Sequence, residues 1–220
     1  MNYQIDAPGS AIRTTVKLPA SKSISNRALI LNALSYSAYD VENLSDCDDT
    51  NLMVKALNSN DRDFNVGAAG TTMRFLTAFL SKVVGEWTIT GTERMKNRPI
   101  KVLVDALNAL GARIEYMEKE GYPPLRIFGS ALQGGEISLP GNVSSQYISA
   151  ILMIAPLTEN GVTLHLEGAI ISRPYIHITL QLMEQYGVRA SWTENTIKVL
   201  PQEYKPIRFT VESDWSAASY

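Results

Sequence analysis

A unit of strand, helix, strand, helix and hairpin recurs along this chain, and copies of such a unit can bury their apolar faces only by stacking around a shared core. Three segments join a small, polar opening to an apolar helix: Ser21–Leu34, Gly70–Leu80 and Ser144–Leu157. Short strand-like runs follow them at Tyr39–Leu44, Glu86–Gly91 and Val162–Gly168. A second kind of helix alternates with the first, at Asp49–Leu57, Pro99–Leu110 and Pro174–Tyr186. The last two begin Arg-Pro, which places proline at the first helical position, and stop at Gly111 and Gly187. Hairpin patterns close these two copies, at ARIEYMEKEGYPPLRIFG and at VRASWTENTIKVL, where Glu194-Asn195 forms the turn. The first copy departs. After Leu57 only NSNDRDF precedes the strand-like Phe64–Val66, so its hairpin is largely missing. RALILNAL, RFLTAFL and ISAILMIA are apolar on more than one face, which makes the first kind of helix the core of an α/β lobe.

The rest of the composition narrows the chemistry. With 220 residues and a formal charge of −2, the chain can bury a sizeable core but has no basic field for nucleic acid. The N-terminus lacks a signal-peptide pattern, and the uncharged run from Ile137 to Thr158 contains Pro140, Gly141, Asn142 and Gln146, which leave its apolar core too short to span a bilayer. Cys47 is the single cysteine, which excludes an internal disulfide and fits a reducing, cytoplasmic setting. His165 and His177 have no ligand pattern around them, so no metal site is expected.

What remains is local anion binding. A helix N-terminus offers free N–H groups and the positive end of a dipole. Lys17–Arg27 (KLPASKSISNR) adds hydroxyls, an ammonium and a guanidinium to such an opening, and AAGTTMR at 68–74 and NVSSQY at 142–147 repeat the arrangement. Arg98 and the turn Ser172-Arg173-Pro174-Tyr175 can join them. A polyanionic small molecule held between the three openings is the expected ligand. The competing reading is a set of Ser-capped surface helices with solvated charges.

Taken in order, LPASKSISNR, AGTTMR, RMKNRPI, YPPL, VSSQ, SRPY and ESD resemble the N-terminal half of the 5-enolpyruvylshikimate-3-phosphate synthase (3-phosphoshikimate 1-carboxyvinyltransferase) family. The resemblance implies one lobe of an enolpyruvyl-transferase fold, an inside-out α/β barrel built from three βαβαββ-type repeats with the first shortened. It implies transfer of the enolpyruvyl group of phosphoenolpyruvate to the 5-hydroxyl of shikimate 3-phosphate, by addition and elimination through a tetrahedral ketal, in the shikimate pathway of aromatic amino-acid biosynthesis. No metal or organic cofactor is implied, and the full-length enzyme is expected to be a monomer. By motif, Lys22 contacts both substrates and is the catalytic candidate. Ser23, Arg27, Ser144, Ser145, Gln146, Ser172 and Tyr175 are implied to bind shikimate 3-phosphate, and Gly70, Arg98 and Gln146 to bind phosphoenolpyruvate. Glyphosate, the family's inhibitor, competes at the latter place. Ala68 and Phe75 replace the family's usual Asn and Pro there, which leaves sensitivity open.

The family has two lobes. On that basis residues 1–20 begin the other lobe, 21–211 form the shikimate-3-phosphate lobe, and 212–220 return. Phe209–Glu212 reads as a strand and Trp215–Tyr220 as the first turns of a helix without a stop, so the chain is expected to be a fragment lacking its C-terminal lobe and inactive alone. Asp48 and Asp49 are expected to cap their own helix, Cys47 to be a small buried residue, and Trp87, Trp192, Tyr116, His165 and His177 to pack rather than react. Arg74 and Arg173 either support the anion field or pair at the surface. Two alternatives stand: a non-catalytic anion-binding module, and the sibling enzyme that acts on a UDP-amino sugar.

Overall fold

The structure is a computed structural model that describes Gly9, Ala11 and residues 13–219. The chain enters the fold at Ala20 and turns into α1 (Lys22–Leu34), with Ser21 as the N-cap accepting from the Ile24 N–H at 3.4 Å. β1 (Val41–Glu42) and α2 (Asp48–Leu57) follow. The next unit is complete. It comprises β2 (Asp63–Asn65), α3 (Gly70–Lys82), β3 (Gly85–Thr90), α4 (Glu93–Lys96), α5 (Lys101–Ala109), β4 (Arg113–Tyr116) and β5 (Leu125–Gly129). The last unit repeats it as β6 (Gly135–Pro140), α6 (Ser145–Ile154), β7 (Val162–Glu167), α7 (Arg173–Gln185), β8 (Ala190–Thr193) and β9 (Thr196–Val199).

Both complete units build the same sheet. Their orders are β2-β3-β5-β4 and β6-β7-β9-β8, with the first pair parallel and the remaining pairs antiparallel. A parallel pair needs a crossover, and the apolar helices α3 and α6 supply it. The strands then alternate in burial, as in β7, where Val162, Leu164 and Leu166 face the core. The inner helices α1, α3 and α6 touch one another, with α2, α5 and α7 packed outside them. In α6 every residue from Tyr147 to Ile154 is buried, so this helix is apolar all round and runs through the centre. Each Ile or Leu buried there contributes roughly 1.5–3 kcal/mol of transfer free energy.

The incomplete first unit resolves differently from the others. Instead of a four-stranded sheet, β1 pairs in parallel with β10 (Phe209–Thr210), matching Val41 to Phe209 and Glu42 to Thr210. Next to this pair, entry and exit are stitched together. Ala20 and Ser213 form an antiparallel bridge, Ser21 N–H donates to the Glu212 carbonyl at 2.9 Å, and Asp214 N–H donates to the Pro19 carbonyl at 2.8 Å. Ala28, Val41 and Val211 form a small apolar cluster beneath the seam, apart from the main core.

Three local expectations are corrected. Pro99 does not open a helix: it lies in the short link between α4, which ends at Lys96, and α5, which starts at Lys101 with Ile100 as its N-cap. The Pro99 carbonyl has another use, described below. Pro174 does lie in the first turn of α7. Neither Asp48 nor Asp49 caps α2, whose N-cap is Cys47, and the Asp49 carboxylate leaves its own helix altogether. The C-terminal run forms only one short 3₁₀ turn, Ala217–Ser219, and Tyr220 lies outside the described residues.

Candidate functional site

Because the three inner helices pack side by side with their N-termini at one end, their polar openings converge. Lys22, Ser23 and Arg27 of α1, Thr71 of α3, Ser144, Ser145 and Gln146 at the start of α6, and Tyr175 of α7 line one open cavity of about 260 Å³. Seven of these eight residues were expected from the sequence. Thr71 was missed, although it lies inside AAGTTMR, because its hydroxyl gains a role only through the fold: Gln146 Nε2 donates to it at 3.1 Å.

Arg27 is the most constrained member. Its side chain is buried (3% exposed), yet no carboxylate pairs with it among the described residues. Nε donates to Thr179 Oγ1 at 2.7 Å, one terminal nitrogen to the Ser23 carbonyl at 2.9 Å and the other to Ser149 Oγ at 2.9 Å. The guanidinium also lies over the Phe75 ring, 5.3 Å from its centroid. Burial lowers its pKa to about 10, so it stays charged at neutral pH. A buried cation held by neutral oxygens carries uncompensated charge, which an anion in the cavity would compensate. Ser149 and Thr179, which hold it, carried no recognisable signal in the sequence.

Lys22 is half exposed and pairs with Asp49, Nζ to Oδ2 at 2.8 Å. At α6, Ser144 caps the helix and accepts from the Gln146 N–H at 3.3 Å. Gly70 opens α3, and the Arg98 guanidinium lies directly over its Cα, where a Cβ would collide with it. Close approach of this kind requires glycine, although the backbone at Gly70 is otherwise ordinary. Arg98 thus reaches the N-terminus of α3 from a segment far along the chain.

The Arg98 segment is held from beneath. The Pro99 carbonyl accepts from Tyr147 Oη at 2.6 Å and from an Arg74 terminal nitrogen at 3.2 Å. Arg74 is buried and donates from its other terminal nitrogen to the Gly70 carbonyl at 3.1 Å. Burial lowers its pKa, and the nearby Tyr147 partly opposes that shift. Arg74 therefore supports the site from within, whereas Arg173 stacks on Trp192 (5.0 Å) at the surface.

Ser172 precedes α7 in a left-handed conformation (φ 57°) and is not among the residues lining the cavity. His165 contacts Thr196 and Glu136, and His177 stacks on Trp192; neither lines the cavity. A larger hollow of about 510 Å³ lies beside α1 and α2, walled by Leu29, Val54, Leu57 and Phe79, where the first unit has no four-stranded sheet. It contains no cation and is a by-product of the shortened unit. Among the described residues there is no cluster of three metal-ligating side chains, and no helix is long and apolar enough to cross a membrane.

Known proteins share this architecture and sequence. The chain is 61% identical over its whole length to a 3-phosphoshikimate 1-carboxyvinyltransferase of Bacteroides fragilis, of which it covers 54%. It is 43% identical to the enzyme of that name from Vibrio campbellii, over 97% of this chain and 57% of that one. An EPSP synthase structure from Acinetobacter baumannii superposes with a TM-score of 0.82 at 21% identity, over 93% of this chain and 51% of that one, a likeness of fold. The chain spans about half the length of the curated relatives it matches. The sequence profile of the family described as EPSP synthase (3-phosphoshikimate 1-carboxyvinyltransferase) matches residues 7–61 and 58–220, and the chain belongs to that family.

Proposed function

We propose that this chain forms the shikimate-3-phosphate wall of an enolpyruvyl transferase, the enzyme that moves the enolpyruvyl group of phosphoenolpyruvate to the 5-hydroxyl of shikimate 3-phosphate and releases phosphate. The observation that carries the reading is Arg27, a buried guanidinium with no carboxylate partner among the described residues, facing a cavity that Lys22, hydroxyls and helix N-termini share. Ser23, Arg27, Ser144, Ser145, Gln146 and Tyr175 then hold shikimate 3-phosphate, with Ser172 at the rim. Gly70, through its N–H, and Arg98 hold phosphoenolpyruvate, while Lys22 and Gln146 serve both ligands.

The division of labour follows from charge. Arg27 and the hydroxyls satisfy an anion that stays bound throughout the reaction. Lys22 and Arg98, more exposed, neutralise the charge that builds up during addition and departs with phosphate. Residues 1–20 and 212–220 belong, in this reading, to a second lobe that closes the cleft and supplies the groups for proton transfer, within a cytosolic enzyme. The seam between Pro19–Ser21 and Glu212–Asp214 supports that division, since both crossings run side by side. Half a cleft positions little, so the 220-residue chain binds shikimate 3-phosphate weakly and does not turn over.

Titration calorimetry of the chain with shikimate 3-phosphate, and a phosphate-release assay with and without a supplied C-terminal lobe, test this. Turnover by the chain alone overturns its assignment as one wall of a cleft. A completed enzyme in which Lys22→Ala and Arg98→Ala both fold and retain normal kinetics overturns the site, whereas a completed protein without turnover leaves the non-catalytic anion-binding module.

A further inference from the structure

We propose that Asp49 is a positioning residue of this site: one carboxylate holds both the Lys22 ammonium and the Thr71 backbone N–H, and so locks the openings of α1 and α3 in a fixed relation. Oδ2 lies 2.8 Å from Lys22 Nζ, and Oδ1 accepts from the Thr71 N–H at 3.0 Å. The Asp49 backbone adds a third tie, its carbonyl accepting from Thr72 Oγ1 at 2.6 Å. Three helices therefore meet at this residue.

Asp49 does not line the cavity, and its side chain is only 14% exposed against 45% for Lys22. It reaches the ligand through Lys22. A lysine carries its charge on a flexible stem, and a ligand that must be gripped at one atom gains when the ammonium is already held. The same carboxylate accepts an N–H from the first turn of α3, the turn that begins with Gly70. Its position at the start of α2 suits a negative charge there.

Removing the charge has two opposed effects on binding. The cavity becomes more positive, which favours an anion, while Lys22 loses its tether. Ground-state affinity therefore changes little, and the loss falls on the step that needs Lys22 in place. Asp49→Asn cuts one arm selectively, because its carbonyl can still accept from Thr71 while its NH₂ turns donor against donor toward Lys22.

The proposal rests on the assignment of this cavity to the two substrates, and its test separates the two. In an enzyme completed with a C-terminal lobe, Asp49→Asn should lower kcat by about tenfold or more while KM for either substrate moves less than about threefold. In a Lys22→Ala background the same substitution should cost less than about twofold further, because its route of action is already gone. Equal losses in both backgrounds, or wild-type kcat, overturn the proposal. Asp49→Ser replaces the Asn variant if that fails to fold. In the 220-residue chain the Lys22 side-chain ¹⁵N resonance should shift on Asp49→Asn whatever the cavity binds, and an unmoved resonance also overturns the proposal. A wild-type enzyme without turnover instead overturns the substrate assignment.

Discussion

Arg27 and Thr179 lie 152 residues apart in the chain and 2.7 Å apart in the fold, the guanidinium Nε donating to the threonine hydroxyl. Ser149 Oγ lies 2.8 Å from the same hydroxyl, so α1, α6 and α7 share one polar knot inside an otherwise apolar interface. Thr179→Val keeps the shape and removes the acceptor. A buried hydrogen bond to a charged group is worth about 1.5–3 kcal/mol, and denaturant titration should report a loss of that size. Calorimetry should show weaker shikimate 3-phosphate binding as well, because Arg27 is no longer held in place. A Val variant as stable as the parent would mean the knot contributes nothing.

Tyr147→Phe removes one of the two donors to the Pro99 carbonyl. The expected stability loss is about 1 kcal/mol, since Arg74 still satisfies the oxygen. Function should respond selectively. In a completed enzyme KM for phosphoenolpyruvate rises while that for shikimate 3-phosphate holds, because the loosened segment carries Arg98. Steady-state kinetics with each substrate varied in turn will show whether the two constants separate.

Gly70→Ala places a methyl group against the Arg98 guanidinium. Nothing in the backbone resists the change, so the protein should fold and melt close to the parent. The displaced side chain is the flexible end of an arginine, and the burden falls on the ligand. Affinity for phosphoenolpyruvate and for anions that compete with it should fall, and a Gly70→Ala variant with unaltered affinity would remove Arg98 from that site.

Alkaline stability tests a buried phenol. Burial raises the pKa of Tyr186 to about 12, and its hydroxyl has no hydrogen-bond partner among the described residues. The folded-state pKa exceeds the ordinary value of 10.0. Above that value the unfolded chain therefore holds fewer protons than the folded one, and stability falls as pH rises toward 12. Denaturant titrations across that window should show a shallower decline for Tyr186→Phe than for the parent. At neutral pH the variant should be no less stable.

Sequence and structure agree best where chemistry is local. Ser21 and Ser144 announce their helix starts because capping uses residues within one turn, and the burial of Tyr147–Ile154 follows from an unbroken apolar run. The two complete units were legible because each repeats its strand, helix and turn signals in order. The pairing of Val41 with Phe209 was not, since two-residue strands carry almost no pattern and their partners lie on opposite ends of the chain. Pro99 misled because Arg-Pro suits a helix start, while the fold uses its carbonyl as an acceptor. Asp49 misled for a related reason. An acid at a helix start reads as a cap, and only the packing of α1 and α3 against α2 reveals where its carboxylate goes. Of the site, all the cavity-lining positions but Thr71 were readable, whereas Ser149 and Thr179, which hold Arg27, were not.

The seam between Pro19–Ser21 and Glu212–Asp214 sets how this lobe can be handled as a piece of protein. A compact body whose chain arrives and departs through touching strands can be spliced into a host, or excised from one, without threading anything through its interior. Joining Asp214 to Pro19 with a short linker and reopening the chain in the exposed loop at Asn60–Asp61 would give a circularly permuted lobe with the same helix contacts. Such a permutant would carry the cavity and its three helix openings as one portable cassette.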